Sequence, residues 1–131
     1  MQDAVAVVIK RGDKFLLIER AKKDAAVDYW CPITGAMEEG ETQRHAVIRE
    51  AKEEMGLSVR PIKKVWECFT EDKHYLLHWW YVKLLNDEIK INTDEVKDYR
   101  WLSFNEMQKI EKMFEADLLF FKEIAPNLPN S

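Results

Sequence analysis

The chain has 131 residues, 47% of them hydrophobic and 34% charged, and a formal net charge of −4. That length holds one domain with a real core and excludes two comfortable ones, so a single domain over residues 1–131 is expected, with an irregular tail from about residue 126. The acidic balance argues against a general nucleic-acid-binding surface, and no long polynucleotide is expected as partner. The longest early apolar run, Ala4 to Ile9, is too short to span a membrane and has no basic leader or cleavage pattern, which points to a cytoplasmic protein. Cys31 and Cys68 fit reduced thiols better than a disulfide framework.

Ala4 to Lys10 and Lys14 to Glu19 bracket Arg11-Gly12-Asp13, which reads as a hairpin with a tight turn. A polar connection, Ala21 to Asp28, leads to an extended segment, Tyr29 to Pro32, and to a loop starting at Gly35. A helix is predicted over about Thr42 to Met55, with Thr42 as N-cap and Gly56 at the stop position. Ser58 to Thr70 and Lys73 to Leu85 are rich in β-branched and aromatic residues and read as a long antiparallel pair around Glu71-Asp72. Tyr99 to Leu102 reads as another strand. Ser103 and Glu106 form a capping box, apolar spacing from Met107 through Ile124 supports one or two terminal helices, and Pro126 and Pro129 end regular structure. Strands in a mixed sheet covered by helices on both faces follow from this order.

The predicted helix carries the chemistry. At roughly 100° per residue, Glu50, Glu53 and Glu54 share one narrow sector, while Val47, Ile48, Ala51 and Met55 form an adjoining apolar stripe. Like charges at i,i+3 and i,i+4 cost about 0.2–0.5 kcal/mol each, and carboxylates near a helix C-terminus oppose its dipole. A compensating hard divalent cation explains such an arrangement, since Mg²⁺ prefers carboxylate oxygens and is completed by waters and substrate phosphates. A bare acidic run is more often a solvated face, but here Gly35, Glu38, Glu39, Gly40 and Glu41 supply a tight acidic loop just before the helix.

Together these residues make one spaced pattern: Gly35, five residues, Glu41, seven residues, then Arg49-Glu50-Ala51-x-Glu53-Glu54-x-Gly56-Leu57. It resembles the Nudix box at every fixed position, with Ala51 small where a larger aliphatic is common. Seven fixed identities recur by chance on the order of 10⁻⁸ per window. The resemblance implies an α/β/α sandwich, a Mg²⁺ cofactor with Mn²⁺ as an alternative, and hydrolysis of a diphosphate linkage in a nucleoside diphosphate derivative. It also implies the roles of the residues. Glu50, Glu53 and Glu54 are expected as metal ligands, joined by the backbone carbonyl of Thr34; Arg49 and Glu41 as a pair that orients the loop against the helix, with Gly35 and Gly56 shaping its ends. For the base that accepts a proton from the attacking water, Glu53 is one candidate and Glu95, in the loop Asn92-Thr93-Asp94-Glu95, another. A homodimer is implied by the resemblance alone.

Substrate signals are thinner. Trp30-x-Pro32-x-Thr34-Gly35 looks like nucleoside or dihydroneopterin triphosphate branches of the family, whereas Tyr75 stands near a tyrosine that resembles a marker of dinucleoside polyphosphate hydrolases. The proline associated with ADP-ribose hydrolases is missing at Asp72 and Lys73, and no coenzyme A signature is present. On a strand Tyr75, Leu77, Trp79 and Tyr81 share one face, which makes Tyr75 and Trp79 candidate base-stacking residues, although such a stripe is more often core. His74 and His78 would stand about 13 Å apart on a strand, too far to chelate one zinc. His45 falls on the helix away from the acidic sector, where solvent exposure is expected. Two classes of function remain: a nucleotide hydrolase, and a Nudix-fold module that binds nucleotides without turnover.

Overall fold

The computed structural model describes residues 1–129. Among the described residues eight strands form two four-stranded sheets. The first is ordered β5 (Ile33–Ala36), β1 (Gln2–Val8), β7 (Tyr75–Leu84), β6 (Val59–Phe69), with β1 and β7 parallel and the other pairs antiparallel. In the second, β3 (Lys14–Arg20) pairs with β8 (Val96–Leu102) along its length and with β2 (Lys10–Arg11) and β4 (Trp30–Cys31) near its two ends.

β1 explains the layering. Its run Ala4 to Ile9 is buried throughout, so both faces of the strand are covered, as for a central strand rather than a hairpin arm. Val5, Val7 and Ile9 enter a core with Val47, Ala51 and Met55 of helix α1 (Gln43–Met55). Ala4, Ala6 and Val8 enter a second core with Phe120 and Phe121 of the C-terminal helical segment. Helices therefore cover both faces of the mixed sheet, and the fold is an α/β/α sandwich.

The expected hairpin is corrected. Both edges of β1 are taken by β5 and β7, so β3 cannot pair with it. The chain instead passes from one sheet to the other at Ile9, whose carbonyl accepts from Leu16 N at 3.0 Å, and only β2 closes the turn at Gly12, where φ is +62°. β6 and β7 form the predicted long pair, with register shifts between Pro61 and Lys63 and between Lys64 and Trp66. The Ser103–Glu106 capping box starts the short α2 (Phe104–Met107), and α3 (Glu115–Leu119) runs on into a wider turn over Phe120–Ile124.

The tail is corrected as well. Pro126 lies inside a single 3-10 turn, Ala125–Asn127, Leu128 joins the second core, and Tyr81 Oη donates to the Pro129 carbonyl at 3.3 Å. Ser131 and Asn130 lie outside the described residues. Among the described residues no helix is long and apolar enough to cross a membrane.

Candidate active site

α1 is set at both ends by local chemistry. Thr42, extended at φ −80° and ψ 158°, accepts from His45 N at 3.1 Å. Gly56 adopts φ +67°, the left-handed region open to glycine at little cost, and its N–H returns to Lys52 O. Two further carbonyls of the last turn are capped from far along the chain: Lys90 N donates to Met55 O and Asn92 N to Glu54 O, each at 2.9 Å. Those two bonds bring the loop that carries Glu95 against the acidic end of α1. Ile48, expected in the apolar stripe, is 42% exposed; the buried apolar positions are Ala46, Val47, Ala51 and Met55, one step round the helix.

Arg49 is the hub of the loop before α1. It binds both oxygens of Glu41, Nε to Oε2 at 2.7 Å and NH2 to Oε1 at 2.8 Å, and its NH2 also donates to Ala36 O at 3.1 Å. Its NH1 reaches Glu50 Oε1 at 2.7 Å and Glu53 Oε2 at 3.1 Å, and Glu38 Oε1 lies 3.0 Å from Nε. A bidentate pair of this kind is strong and directional. The Arg49 hydrogen bonds, with the Glu38 backbone N–H, hold the Glu41 carboxyl down at about 2 from an ordinary 4.5, although burial opposes this. Glu41 in turn holds the Arg49 guanidinium far above its usual range. His45, exposed as expected, adds Nδ1 at 3.0 Å from Glu41 Oε2.

The acidic sector lacks that balance. Four carboxylates, Glu38, Glu41, Glu50 and Glu53, share the Arg49 guanidinium, and Glu54 does not touch it. Glu54 is 3% exposed and its Oε2 has no partner. Burial first, and then the adjacent Glu50, push its carboxyl well above the usual carboxylate range. Gly35 makes room for the pair: a Cβ there would lie 2.0 Å from Glu50 Cδ, so a side chain at this position collides with the Glu50 carboxyl.

These groups open onto one cleft of about 810 Å³. Glu50, Glu53, Glu54, Thr34 and Gly35 line it, and so do Glu95 and Tyr75. Glu95 faces Glu54 closely enough to raise it, and its own carboxyl stands 3.7 Å from Lys22 Nζ. Glu41 and Arg49 stand behind the wall.

Trp79 is a correction. It is fully buried, stacked on Phe120 with ring centroids 4.3 Å apart and tilted against Trp66 at 5.7 Å, and so cannot meet a substrate. The aromatic stripe of β7 divides: Tyr75 and Leu77 reach the cleft, whereas Trp79 and Tyr81 belong to the second core under the C-terminal segment. His78 is buried too, its Nε2 2.9 Å from Asp3 Oδ1, and exposed His74 pairs with Asp72.

Sequence reasoning missed two groups in the cleft. Arg20, at the end of β3, places NH2 on Asp24 Oδ2 at 2.9 Å and leaves a buried Nε without a partner. Asp117 is 5% exposed, and burial, with Glu71 second, pushes its carboxyl up to about 8. An acid set between Ala116 and Leu118, at the head of the apolar run Leu118 to Phe121, was the available signal for it. Cys31 also lines the cleft, but burial raises its thiol far above the range in which a thiolate nucleophile forms.

The donor set fits a hard cation in chemistry. Two adjoining buried carboxyls, one oxygen without a partner, and a glycine cradle leave a local deficit of positive charge. Among the described residues no three His, Cys, Asp or Glu side chains are already gathered into a metal cage. Glu50 and Glu53 are instead turned onto Arg49, and an ion that takes few protein ligands and completes itself with water and phosphate suits that better than a closed structural site.

Comparison with known proteins agrees with this geometry. The family model described as the NUDIX domain matches residues 1–123. A "NAD-capped RNA hydrolase NudC" from Pseudomonas entomophila is 27% identical over 104 residues, 79% of this chain and 37% of that protein, so the chain spans little more than a third of such curated relatives. Among solved structures, a MutT protein from Methanosarcina mazei superposes with a TM-score of 0.83 at 20% identity, covering 95% of this chain and 93% of its own. An Ap4A hydrolase from C. elegans gives 0.77 at 22% identity, covering 92% and 94%. With a family model that runs over nearly its whole length and a box seated on a glycine-cradled acidic helix, this chain belongs to the Nudix hydrolase family.

Proposed function

We propose that the chain hydrolyses a diphosphate linkage in a nucleoside diphosphate derivative, most simply a nucleoside triphosphate, with Mg²⁺ or Mn²⁺ held by Glu50, Glu53, Glu54 and the Thr34 carbonyl. The observation that carries this reading is Glu54, a buried carboxyl beside Glu50 with an oxygen that no group in the protein satisfies. When bound, the cation neutralises phosphate charge and lowers the pKa of a coordinated water. The residues do the rest. Arg49, fixed by Glu41, sets the positions of Glu50 and Glu53. Arg20 and Lys22 supply positive charge on a cleft wall rich in carboxylates, where a phosphate would meet them. Glu95 or Glu53 accepts the proton of the attacking water, and Glu95 has the better position for it, since it faces Glu54 from a separate loop and is not engaged by Arg49.

A dinucleoside polyphosphate is the second reading, supported by Tyr75 on the cleft wall and by the likeness in fold to an Ap4A hydrolase.

Mass-resolved product release with Mg²⁺ across nucleoside triphosphates, dinucleoside polyphosphates and nucleotide sugars tests the proposal. Glu54→Gln should lower turnover of any accepted substrate by about a hundredfold or more. It should also abolish the rise in Tm that Mg²⁺ gives the unsubstituted protein, while leaving the metal-free Tm about equal, because the amide has the shape of the neutral acid that burial favours. Near-normal turnover in the folded variant would sink the metal assignment; tight nucleotide binding without turnover in the unsubstituted protein would leave a binding module.

A further inference from the structure

A second groove, of about 730 Å³, shares no lining residue with the acidic cleft. Lys10 and Arg11 of β2, the end of β7 from Tyr81, Ile62 of β6 and the connection from Leu85 to Asp87 build it. Charge there is one-sided. Lys10, Arg11 and Lys83 line the groove, and among the described residues Asp87 is the one acid on its wall. In register, Arg60 stands directly across from Lys83, both exposed, and the shift between Pro61 and Lys63 brings Lys63 opposite Tyr81. Like charges directly opposite weaken a strand pair. Among the described residues none of these cations has a carboxylate partner, whereas Lys14, Arg20, Lys64 and Lys97 each have one. In a chain of net charge −4, the result is an uncompensated basic patch.

The floor of the groove is apolar. Ile62 is 41% and Leu85 56% exposed, and Val82 and Leu84 join them on the lining. A solvated basic face would explain the cations but not exposed aliphatic side chains among them, a combination that marks an interaction surface. A nucleic-acid strand needs free aromatic faces to stack on. Tyr81 is the one aromatic on the lining and is buried, with its hydroxyl on the Pro129 carbonyl, and Arg11 covers Trp101 at 4.2 Å. Nor can an extended segment add to β6 here, because Pro61 has no N–H and its carbonyl already accepts from Arg44 NH1 at 3.1 Å. What fits is a segment that satisfies its own backbone and brings carboxylates and apolar side chains together, as an amphipathic helix does.

We propose that this groove docks an acidic amphipathic helix of another protein, its carboxylates meeting Arg11, Arg60 and Lys83 and its apolar side chains covering Ile62 and Leu85. The proposal goes beyond the hydrolytic reading and stands apart from it, since binding is measured without substrate or metal.

The test is fluorescence anisotropy of a labelled, alanine-based helical peptide carrying glutamates beside a single row of leucines, titrated with the full chain in the absence of divalent ions. Saturable binding is expected, and it should weaken as salt rises. The double variants Arg60→Glu/Lys83→Glu and Ile62→Ser/Leu85→Ser should each weaken it about tenfold or more, the first by reversing charge and the second by removing apolar contact. All four side chains are exposed, so both variants should fold; Arg60→Gln/Lys83→Gln serves if the charge reversal does not. Lys122→Glu, which reverses an exposed cation on the C-terminal segment, should bind as the unsubstituted protein does. Absence of saturable binding at low salt, unchanged binding in either folded double variant, or equal affinity for polyglutamate, which has the charge without the leucines, overturns the proposal. Tighter binding of a single-stranded oligonucleotide or of anionic lipid vesicles, lost in the same variants, also overturns it, as does self-association of the chain that those variants abolish.

Discussion

The two flanks of α1 treat charge in opposite ways. On the loop side, Arg49 satisfies Glu41 with two short bonds and ties in Ala36, so that every strong group there has a partner within the protein. On the cleft side, Glu54 is buried and its Oε2 has none. Like residue types at the two ends of α1 therefore have different surroundings. The paired charge ties the loop to the helix, and the unpaired carboxyl is left on the cleft wall.

Substitutions should separate the two flanks. Gly35→Ala strikes the cleft side alone: its Cβ meets the end of the flexible Glu50 side chain, which can be pushed away, so the fold should survive while turnover falls about a hundredfold. A folded variant with unchanged kcat/KM would mean that the position of the Glu50 carboxyl does not matter. Arg49→Ala strikes the loop side, leaving Glu41 buried without its cation. Thermal or denaturant unfolding should show a loss of about 3 kcal/mol, and a loss below about 1 kcal/mol would contradict the structural role given to the pair.

pH sharpens the contrast. Glu41 is depressed from 4.5 to about 2, so its contribution is fully present above about pH 4.5 and is lost as pH falls from there toward 2. Glu54 is shifted upward and carries its proton throughout that window, so it adds nothing to the loss. Acid unfolding followed by circular dichroism should therefore begin at higher pH in the unsubstituted protein than in Glu41→Gln, measured relative to each protein's own neutral stability. Identical acid profiles would remove Glu41 as the source. The smallest effect is expected at the N-cap, where Thr42→Ala should cost about 1 kcal/mol and leave KM unchanged.

What could be read in the sequence was local. The extent of α1, its Thr42 cap and its Gly56 stop follow from side chains within a few residues of each other, and the spacing of Glu41 and Arg49 is a motif in itself. The misread parts depend on what packs against them from a distance. β1 looked like a hairpin arm because the turn at Gly12 is real, and only the pairing with β5 and β7 makes it central. The fully apolar run from Ala4 to Ile9, with no polar alternation, was the physical hint that neither face meets water. Trp79 and Tyr75 share a strand face, and the sequence carries no sign of where along it the Phe120 ring comes down. Arg20 and Asp117 meet in one cleft from elements almost the whole chain apart, a relation that no short window contains.

The caps on the last turn of α1 have a consequence for how the protein forms. Met55 and Glu54 give their carbonyls to Lys90 and Asn92, which are made only after the β6–β7 pair. During synthesis α1 can nucleate early from Thr42, yet its acidic end stays frayed until the chain has closed a long loop, an entropically slow step. The last turn of α1 and the approach of Glu95 are thus one folding event. A nascent chain that has exposed its box glutamates has not yet built the site that uses them.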